Sequence, residues 1–600
     1  MQPLPTGPAL STPSGPSARW AWVGLAVLLG AFALFAKVNF VPAILEPDDN
    51  GYFAQGSLIA RTGHSWFVAE SDIQYIGLHW LLTPSDTYIS RYPPGMPLAI
   101  AALFGLFGYA ASVWVNPLMA LLALLGTFLV ARRLTSPWWA LACTALLATN
   151  PAFTTHALSG DSHVFVTALI IGGVAFLLRW HDEGKLRDAF LAGLVLGCVP
   201  TVRYPDAVVA LGVLAFLLAS WRRFPGMHRH YGAAVLGAAI PIVALLVRNQ
   251  LLLGAFWRTG YSLTHEQSGF SLGFFSEHFV TYLRNLSGDG LRSVFGLGLI
   301  GALWMVSERR LRATGLLLLV GTTAHLLLYM TYYWAGGMFG TMRFMLPMFP
   351  LYLAAATWAL STATAQAPRA VRIAAPLVLL SLQVTSSSAD ILHVAAQQQH
   401  QKAVLATVTN ALEKVAPPGA IIVTQGELLQ HLDFVRDWRV ADESIARQGS
   451  DGLLGRFQPR PDQPADAAGA PGAVQQLKVT RLNEKFGVSR EERRIRFLTE
   501  LKTWAHGAKV FLVTPERMLH FGVASEAAPE TLQVVARVPS PRPPQALWLN
   551  ARSGFPGGLP PLHDSAPDGG LPDGFAPVPP AAPPSGPGAD SDFLIIEWAP

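Results

Sequence analysis

The chain has 600 residues, of which 51% are hydrophobic and only 14% are charged, and its mean hydropathy is +0.35. This composition predicts a protein that crosses a membrane several times, and it excludes an ordinary soluble domain. The formal net charge of +5 is not concentrated in a dense Lys/Arg stripe with interleaved aromatic residues, so nucleic-acid binding is not supported.

The N-terminal part of the chain predicts a tail followed by a membrane anchor. Residues 1–19 are rich in Pro, Ser and Gly and are predicted to be a disordered cytoplasmic segment. The apolar run 20–40 is long enough to cross a hydrocarbon core of ~30 Å. No small-residue cleavage site precedes this run, so it is predicted to stay in the protein as the first span.

Further apolar segments raise the predicted number of transmembrane helices to about eleven. They cover residues 116–134, 137–153, 163–180, 189–203, 205–221, 232–253, 291–306, 313–334, 343–362 and 370–388. With the N-terminus in the cytoplasm, basic loops such as Arg132-Arg133 all fall on the cytoplasmic side, as the positive-inside rule requires. Another span at 93–115 would invert this pattern. That segment is therefore predicted to be an interfacial or re-entrant helix within one large first outer loop, residues 41–115.

Three carboxylates lie directly behind the first span, on Glu46, Asp48 and Asp49, and Tyr52 follows them. An Asp at the bilayer centre costs roughly 2.5–3.5 kcal/mol, so this cluster belongs at the water boundary or in a wet cavity. Acidic side chains at the edge of a membrane indicate a catalytic site. The plain alternative is a solvated loop that ends a helix.

Other polar residues are predicted to lie on the same outer side. They are Arg91, Tyr92, Asp161, Arg203, Tyr204, Arg258, Tyr261 and Arg343. Carboxylates accept protons, and guanidinium groups stay charged and bind phosphate oxygens through paired hydrogen bonds. If the outer segments converge, the site suits group transfer from a phosphate leaving group. The alternatives are that Asp161 caps the next helix and that Arg203 and Arg343 are interfacial anchors.

The composition changes near residue 388, and residues 391–600 are predicted to form a small extracytoplasmic α/β domain. Two helix–strand units, with strands at 420–424 and 509–514, predict parallel strands. The run 593–598 is predicted to return as an edge strand. The Pro-, Ala- and Gly-rich stretches 456–474 and 539–592 are predicted to be mobile loops. No catalytic set is visible in this domain, so acceptor binding or cover for the membrane site are its predicted roles.

The order of motifs in residues 20–390 resembles the GT-C glycosyltransferases, on the branch near bacterial protein O-mannosyltransferases and the aminoarabinose transferases of lipid A. The motifs are Pro47-Asp48-Asp49 with Tyr52, RYPPGMPL (91–98), SGDS (159–162), TVRYP (201–205) and FGTMRFMLPMFP (339–350).

This resemblance implies an integral inner-membrane enzyme that moves a sugar from a polyprenyl-phosphate carrier to a hydroxyl of a lipid, glycan or protein acceptor on the extracytoplasmic face. It implies inversion at the sugar carbon, with Asp48 or Asp49 as general base and Asp48 favoured. It also implies that Asp161 binds sugar hydroxyls, and that Arg203 and Arg343 bind the lipid phosphate. The resemblance leaves open whether the protein binds a divalent cation. If it does, Asp48 and Asp161 are the residues that would hold it.

Two rival classes remain open, namely an O-antigen ligase or polymerase and a polytopic transporter or flippase of lipid-linked sugars. A transporter favours charges at the bilayer midplane and paired broken helices, whereas these charges cluster at one face. The carboxylate pair behind the first span favours GT-C over a ligase. A non-catalytic scaffold is the least favoured class.

Overall fold

The computed structural model describes residues 16–77, 79–83, 86–263, 269–333, 335, 339–433, 438–447, 486–487, 489–516, 519, 522–523, 531–541 and 592–599. A helical bundle forms the first two thirds of the chain and a strand-containing domain forms the last third. Residues 1–15 of the predicted N-terminal tail, the predicted loop 456–474 and nearly all of the predicted loop 539–592 lie outside the described residues.

The first half of the bundle contains twelve α-helices and a short three-stranded sheet in the loop behind the first helix. The elements are α1 (Pro16–Asn39), α2 (Pro47–Thr62), β1 (Trp66–Phe67), β2 (Trp80–Leu82), β3 (Tyr88–Ser90), α3 (Gly95–Phe107), α4 (Tyr109–Ser112), α5 (Val115–Leu134), α6 (Pro137–Ala148), α7 (Pro151–Leu158), α8 (His163–Glu183), α9 (Leu186–Gly197), α10 (Val199–Val202), a 3-10 turn (Pro205–Val209), α11 (Ala210–Ala219) and α12 (Met227–Leu253). The small sheet is antiparallel in the order β1-β3-β2.

The second half of the bundle ends in a helix much longer than the others. Its elements are α13 (Gly260–Leu263), α14 (Leu272–Asn285) with a π-helical turn (Leu286–Gly290), α15 (Ser293–Ser307), α16 (Arg312–Met330), α17 (Phe339–Met345) with a 3-10 turn (Leu346–Met348), α18 (Phe349–Ala363) and α19 (Arg369–Val415).

Local chemistry explains several helix starts. Proline occupies the first turn of α2, α6 and α7, where its missing N–H costs nothing and its fixed φ suits a helix. The side chain of Asn150 caps α7 by accepting a hydrogen bond of 3.1 Å from the Phe153 N–H. These signals separate α6 from α7 within what the sequence predicted as one span, 137–153.

Seven helices among the described residues are long and apolar enough to cross a membrane, or eight if α14 and α15, bent by 109°, form one span. A helix lies at each of the eleven predicted spans. However, the helices at 137–148, 186–197 and 205–219 have only 12 to 15 residues. Such helices rise only about 18–22 Å, less than the hydrocarbon thickness. The number of eleven therefore stays a prediction.

The ambiguous segment 93–115 is divided at Gly108, where φ is +81°. Its first part, α3, has 13 residues and rises about 20 Å, which agrees with an interfacial or re-entrant helix. Its second part continues through α4 into α5 as one apolar segment, Tyr109–Leu134. The apolar segment thus begins before α5, at Tyr109, and the loop boundary at residue 115 stays a prediction.

The long helix α19 has 47 residues and joins the bundle to the C-terminal domain without a break. The domain boundary predicted at residue 390 falls inside it. The second half of α19 carries the buried Lys402, whose Nζ donates a hydrogen bond of 2.6 Å to the Leu158 carbonyl at the end of α7. The helix therefore ties both parts of the protein together.

The C-terminal domain is a mixed five-stranded sheet with helices. It contains β4 (Ile421–Thr424), α20 (Glu427–Leu432), β5 (Arg439–Asp442), α21 (Ser444–Arg447), α22 (Arg490–Ala505), β6 (Val510–Pro515), β7 (Leu532–Val538) and β8 (Phe593–Trp598). The order is β5-β4-β6-β8-β7. The predicted parallel pairing of β4 with β6 is confirmed. The prediction of an edge strand at 593–598 was wrong, because β8 pairs antiparallel with both β6 and β7.

The loop behind α1, residues 40–94, is attached to this domain by backbone pairing of its segment between β1 and β2. The Tyr75 N–H donates to the Val440 carbonyl at 2.8 Å, and the Asp442 N–H donates to the Ile73 carbonyl at 2.9 Å. The loop thus covers the β5 edge of the sheet, where unpaired N–H and C=O groups would otherwise be left. Asn50 of α2 adds hydrogen bonds to the Gln430 carbonyl and the Asp433 carboxylate.

The contact between α9 and α12 predicts a strong steric effect at Gly237. A Cβ at this position would lie 2.1 Å from the Phe190 carbonyl oxygen, a backbone atom that cannot rotate away. We expect Gly237→Ala to lower the free energy of unfolding by about 1–3 kcal/mol, as overpacking does elsewhere. Gly232→Ala is the matched control in the same helix, because a Cβ there meets no atom within 4 Å. Equal thermal unfolding midpoints of the two variants in detergent would contradict this packing.

Candidate active site

The acidic cluster belongs to the first turn of α2. Pro47 starts the helix, and Asp48 and Asp49 follow it, where the helix dipole favours negative charge. Neighbouring residues of an α-helix point about 100° apart. The two carboxylates therefore face different surroundings although they are adjacent in the sequence.

The Asp48 carboxylate faces three polar side chains from distant segments. Its Oδ1 accepts a hydrogen bond of 2.8 Å from the Tyr92 hydroxyl and lies 3.2 Å from His79 Nε2. Its Oδ2 lies 3.8 Å from Nη1 of Arg343 on α17. The side chain is 36% exposed, so it remains accessible to a ligand.

These neighbours keep Asp48 ionised. Burial raises the pKa of Asp48, but the hydrogen bond from His79 and the charges of Arg343 and Arg91 hold that pKa well below its usual range. Burial and the charge of Arg91 lower the pKa of His79 to about 4. At neutral pH the pair is thus a neutral imidazole and a carboxylate.

Asp49 and Glu46 have the opposite character. Asp49 is 3% exposed and packs on Gly160, where a Cβ would lie 2.8 Å from the Asp49 carboxyl carbon. Burial raises the pKa of Asp49 to about 7, with the charge of Lys402 opposing the shift and that of Asp161 adding to it. Burial and the two neighbouring aspartates raise the pKa of Glu46 to about 8. The Asp49 side chain is therefore buried and close to half protonated at neutral pH.

Four predicted tyrosines and an arginine form one cluster beside Asp48. The rings of Tyr52 and Tyr92 stack with their centroids 4.2 Å apart. The Tyr261 ring lies 6.2 Å from the Tyr92 ring and 5.9 Å from the Tyr204 ring, both edge-on. The Arg91 guanidinium lies 5.2 Å from the centroid of Tyr92 and 5.6 Å from that of Tyr261. The structure thus brings together the RYPPGMPL and TVRYP motifs.

The contacts of the Asp161 carboxylate are all with residues close to it in the sequence, between 156 and 163. Its Oδ2 lies 2.5 Å from His156 Nδ1 and accepts a hydrogen bond of 2.6 Å from the Ser159 hydroxyl. Its Oδ1 accepts a hydrogen bond of 2.9 Å from the His163 N–H at the start of α8. Burial opposes these groups, but the charges of His156 and His163 and the hydrogen bonds hold the pKa of Asp161 well below its usual range. This geometry fits the capping role that the sequence left as an alternative.

Arg203 lies in a closed network rather than at an open surface. Its Nε donates to Asp206 at 2.9 Å, its Nη2 to the Tyr329 hydroxyl at 3.1 Å and its Nη1 to the Ser162 hydroxyl at 3.3 Å. Ser162 in turn shares a hydrogen bond of 2.8 Å with the Tyr52 hydroxyl. Arg203 therefore connects the core of the bundle to the tyrosine cluster.

Arg258 lies apart from the other predicted residues. Its side chain is exposed, and its Nη1 donates a hydrogen bond of 3.4 Å to the Leu253 carbonyl at the end of α12. Although Tyr261 is only three residues further along the chain, the short turn between them directs the two side chains to different places.

The described residues do not form a resident metal site. No group of three or more His, Cys, Asp or Glu side chains in this part of the chain is arranged to hold an ion. Both Asp161 oxygens are engaged within its loop, and Asp48 faces Tyr92, His79 and Arg343. Divalent cations need several oxygen ligands, which this donor set does not supply. The divalent cation that the resemblance left open at Asp48 and Asp161 has no support in the geometry of the described residues.

Several residues of the site were not found from the sequence. They are His79, Lys402, Asp206 and Tyr329. Asp206 carried a usable signal, because it directly follows the TVRYP motif and lies three residues after Arg203. The other three are isolated polar residues that only the tertiary structure brings to the cluster.

Comparisons with known proteins agree with this architecture. The structure of ArnT from Cupriavidus metallidurans bound to undecaprenyl phosphate matches with a TM-score of 0.51 and 12% identity, covering 87% of this chain and 97% of that one. The chain therefore has an ArnT-like fold. The apo ArnT structure from the same organism covers the same shares at 15% identity, with a TM-score of 0.43.

The family comparison covers a shorter part of the chain. Residues 91–246 match the family described as dolichyl-phosphate-mannose-protein mannosyltransferase. The matched range contains the RYPPGMPL, SGDS and TVRYP motifs on which the predicted resemblance rested. No curated protein matches the sequence. The resemblance to the GT-C superfamily is thus confirmed.

The raised pKa of Asp49 predicts a pH-dependent effect of Asp49→Asn. The folded-state pKa of about 7 exceeds the ordinary value of 3.8, so the folded protein keeps a proton that the unfolded chain releases between these values. The stability that this proton contributes is complete below about pH 4 and is lost as the pH rises through 7. Asn stays neutral throughout. We therefore expect the unfolding midpoint of Asp49→Asn, relative to wild type, to increase from pH 5 to pH 8.

Thermal unfolding in detergent at the two pH values measures this difference. Glu308→Gln serves as the control, because Glu308 is exposed and should show the same difference at both pH values. An Asp49→Asn difference that does not change with pH would show that Asp49 is ionised in the folded protein at pH 5.

Proposed function

We propose that this GT-C protein transfers a sugar from a polyprenyl-phosphate donor to a hydroxyl of a lipid, glycan or protein acceptor on the extracytoplasmic face. The observation that carries the proposal is the Asp48 carboxylate, which is ionised, partly exposed and 3.8 Å from the Arg343 guanidinium. A proton acceptor beside a phosphate-binding group is what such a transfer needs. The ArnT structure holds undecaprenyl phosphate, and the matched family is described by dolichyl phosphate mannose, so both comparisons support an isoprenoid phosphate donor.

In the proposed reaction the acceptor oxygen attacks the anomeric carbon of the donor. The bond from that carbon to the phosphate oxygen breaks, and the lipid phosphate leaves as an anion. Asp48 takes the proton of the acceptor hydroxyl. A single displacement of this kind inverts the configuration at the sugar carbon.

The exposure of the two neighbouring aspartates favours Asp48 as the proposed base. A general base must reach the proton that it removes, so geometry comes before pKa in choosing it. Asp48 is accessible and faces the cations, whereas Asp49 is buried against Gly160. We therefore assign the base to Asp48, and we assign Asp49 and Glu46 to shaping its surroundings.

Donor binding would make Asp48 a stronger base. In the free protein the charges of Arg343 and Arg91 contribute to its low pKa. A phosphate that binds these guanidinium groups compensates their charge, and the pKa of Asp48 then rises towards the operating pH. A base is most effective when its pKa lies near that pH. Deprotonation of the acceptor would thus be coupled to the presence of the donor.

The arginines have different proposed roles. Arg343 and Arg91 flank Asp48 and bind the donor phosphate, where they stabilise the charge that develops on the leaving group. Arg203 already donates to Asp206, Tyr329 and Ser162, so we assign it to positioning Tyr52 through Ser162. Asp161 similarly positions the SGDS loop on which Asp49 packs.

Asp48→Asn is expected to lower kcat by about 10²–10⁴-fold, the usual contribution of a general base. Asn keeps the shape of the side chain but cannot accept the proton. The assay uses the purified chain, a panel of radiolabelled polyprenyl-phosphate sugars and envelope extract as acceptor. Glu308→Gln, at an exposed acid outside the cluster, is the control and should keep wild-type turnover.

Transfer by Asp48→Asn at the wild-type rate would overturn the proposed mechanism. A greater loss in Asp49→Asn than in Asp48→Asn would move the base to Asp49. No turnover of any donor by the folded wild-type chain would contradict the proposed function itself.

Arg343→Ala is expected to raise the KM for the donor by about 10–100-fold, since a hydrogen bond to a charged group is worth about 1.5–3 kcal/mol. Arg343→Lys keeps the charge but loses the paired geometry, so its KM should lie between those of Arg343→Ala and wild type. Arg284→Ala, at an exposed arginine of α14, is the control. An unchanged donor KM in Arg343→Ala would remove Arg343 from the phosphate site.

A further inference from the structure

A large cavity lies at the other end of the bundle from the acidic cluster. It is a half-open cavity of about 1450 Å³, lined by the last turns of α5, α8 and α18 and by the first turns of α6 and α19. Asn116, in the first turn of α5, donates hydrogen bonds to the Ser159 and Asp161 carbonyls. Arg132, in the last turn of the same helix, lines the cavity. The intervening part of α5 rises about 24 Å, so the cavity is separate from the candidate active site.

One part of the cavity wall is basic and the rest is mainly apolar. The basic side chains are those of Arg132, Arg133, Arg369 and Arg372. The larger apolar side chains are those of Trp138, Trp139, Leu141, Ile373, Leu377 and Leu380. This division matches an amphiphile that has a charged head and an apolar tail.

Part of the positive charge in this wall is compensated, because Asp182 and Glu183 also line the cavity and reduce the formal charge of the four arginines from +4 to +2. Arg133 is paired with Asp182 at 2.5 Å and with Glu183 at 3.4 Å. Arg132 lies 5.1 Å from the Trp22 ring centroid, and its buried Nε has no hydrogen-bond partner among the described residues.

The other two arginines come from the first turn of α19. Arg369 and Arg372 are exposed, and no acidic partner of either appears in the contacts of the described residues. Three guanidinium groups can thus bind one anion together. Together they bind it more strongly than any one of them alone.

The apolar part of the cavity faces the membrane rather than water. It is bounded by α19, whose Ile373 and Leu377 are 53% and 58% exposed. This helix is among those long and apolar enough to cross a bilayer, so these side chains meet lipid. The cavity also exceeds the roughly 300–1,000 Å³ of ordinary small-molecule sites. An occupant that reaches it from the bilayer therefore has the size of a lipid.

We propose that this cavity binds one anionic phospholipid of the surrounding bilayer. Its phosphate lies among Arg132, Arg369 and Arg372, and its acyl chains lie along α19 and α6. The site is independent of the proposed transfer reaction. Since α19 continues to Lys402 beside the acidic cluster, the bound lipid would fix the membrane half of the helix that links the two ends of the protein.

The test titrates the purified full chain with phosphatidylglycerol or phosphatidylcholine of identical acyl chains and counts bound lipids by native mass spectrometry. The expected result is one phosphatidylglycerol bound in preference to phosphatidylcholine. Arg369→Gln/Arg372→Gln should weaken it by about 30-fold, if each arginine contributes what a basic residue near an anionic membrane surface usually does. The matched control is Arg309→Gln/Arg310→Gln, at two exposed arginines outside the cavity, and it should bind like wild type.

A second variant tests the apolar wall of the cavity separately from its arginines. Ala145→Trp fills part of the apolar wall and leaves all four arginines in place, so it should also weaken phosphatidylglycerol binding. Equal binding of the two phospholipids, or equal weakening in the control variant, would overturn the proposal. Displacement by inorganic phosphate would show a plain anion site, and tighter binding of undecaprenyl phosphate would show a carrier-lipid site. Either result would also overturn it.

Discussion

The contact between Asp48 and Arg343 is the constraint on which the candidate site depends. A charge at the edge of a membrane needs a partner, because an unpaired charge removed from water costs several kcal/mol. These two partners come from opposite parts of the chain, one from the loop behind α1 and one from the short helix α17 between α16 and α18. Helices of the bundle hold α17 in place, and the C-terminal domain holds the loop behind α1. At a separation of 3.8 Å the two charged groups interact, and both side chains stay partly exposed.

The C-terminal domain takes part in this arrangement, although it supplies no catalytic set. The loop behind α1 pairs with β5 through its backbone, and Asn50 in α2 binds the Asp433 carboxylate at 3.0 Å. The Ile44 N–H donates to His431 of α20 at 3.2 Å. The acidic turn of α2 is thus held between the bundle on one side and the sheet on the other. The domain therefore acts as a support for the first loop, which is more specific than the cover that the sequence suggested.

The sequence predicted the positions of the helices well because apolar runs report directly which segments avoid water. It predicted their lengths poorly, since breaks at Gly108 and Asn150 interrupt runs that remain apolar throughout. The parallel pairing of β4 and β6 followed from two helix–strand units, whereas the central place of β8 depends on strand order, which local sequence does not encode. In the site, ordered motifs led to Arg343 and Tyr92. His79 and Lys402 belong to no such motif. Arg258 was included because the segment 249–261 was predicted to lie on the outer side together with the other polar residues.

The separation of the three carboxylates by their surroundings explains how an acidic cluster can accept an anionic donor. Three ionised acids would repel a phosphate, since like charges a few ångströms apart interact strongly in a poorly hydrated site. Burial instead raises the pKa of Glu46 to about 8 and that of Asp49 to about 7, so much of their charge is absent at neutral pH. Asp48 alone stays fully ionised, next to Arg343 and Arg91. Under the proposed function, the charges of Arg343 and Arg91 would then attract a phosphate, and the Asp48 carboxylate would remain to take a proton. Environments that drive neighbouring acids to different protonation states are typical of sites with acid–base chemistry. Here the difference arises because two adjacent residues of one helical turn point about 100° apart and meet different surroundings.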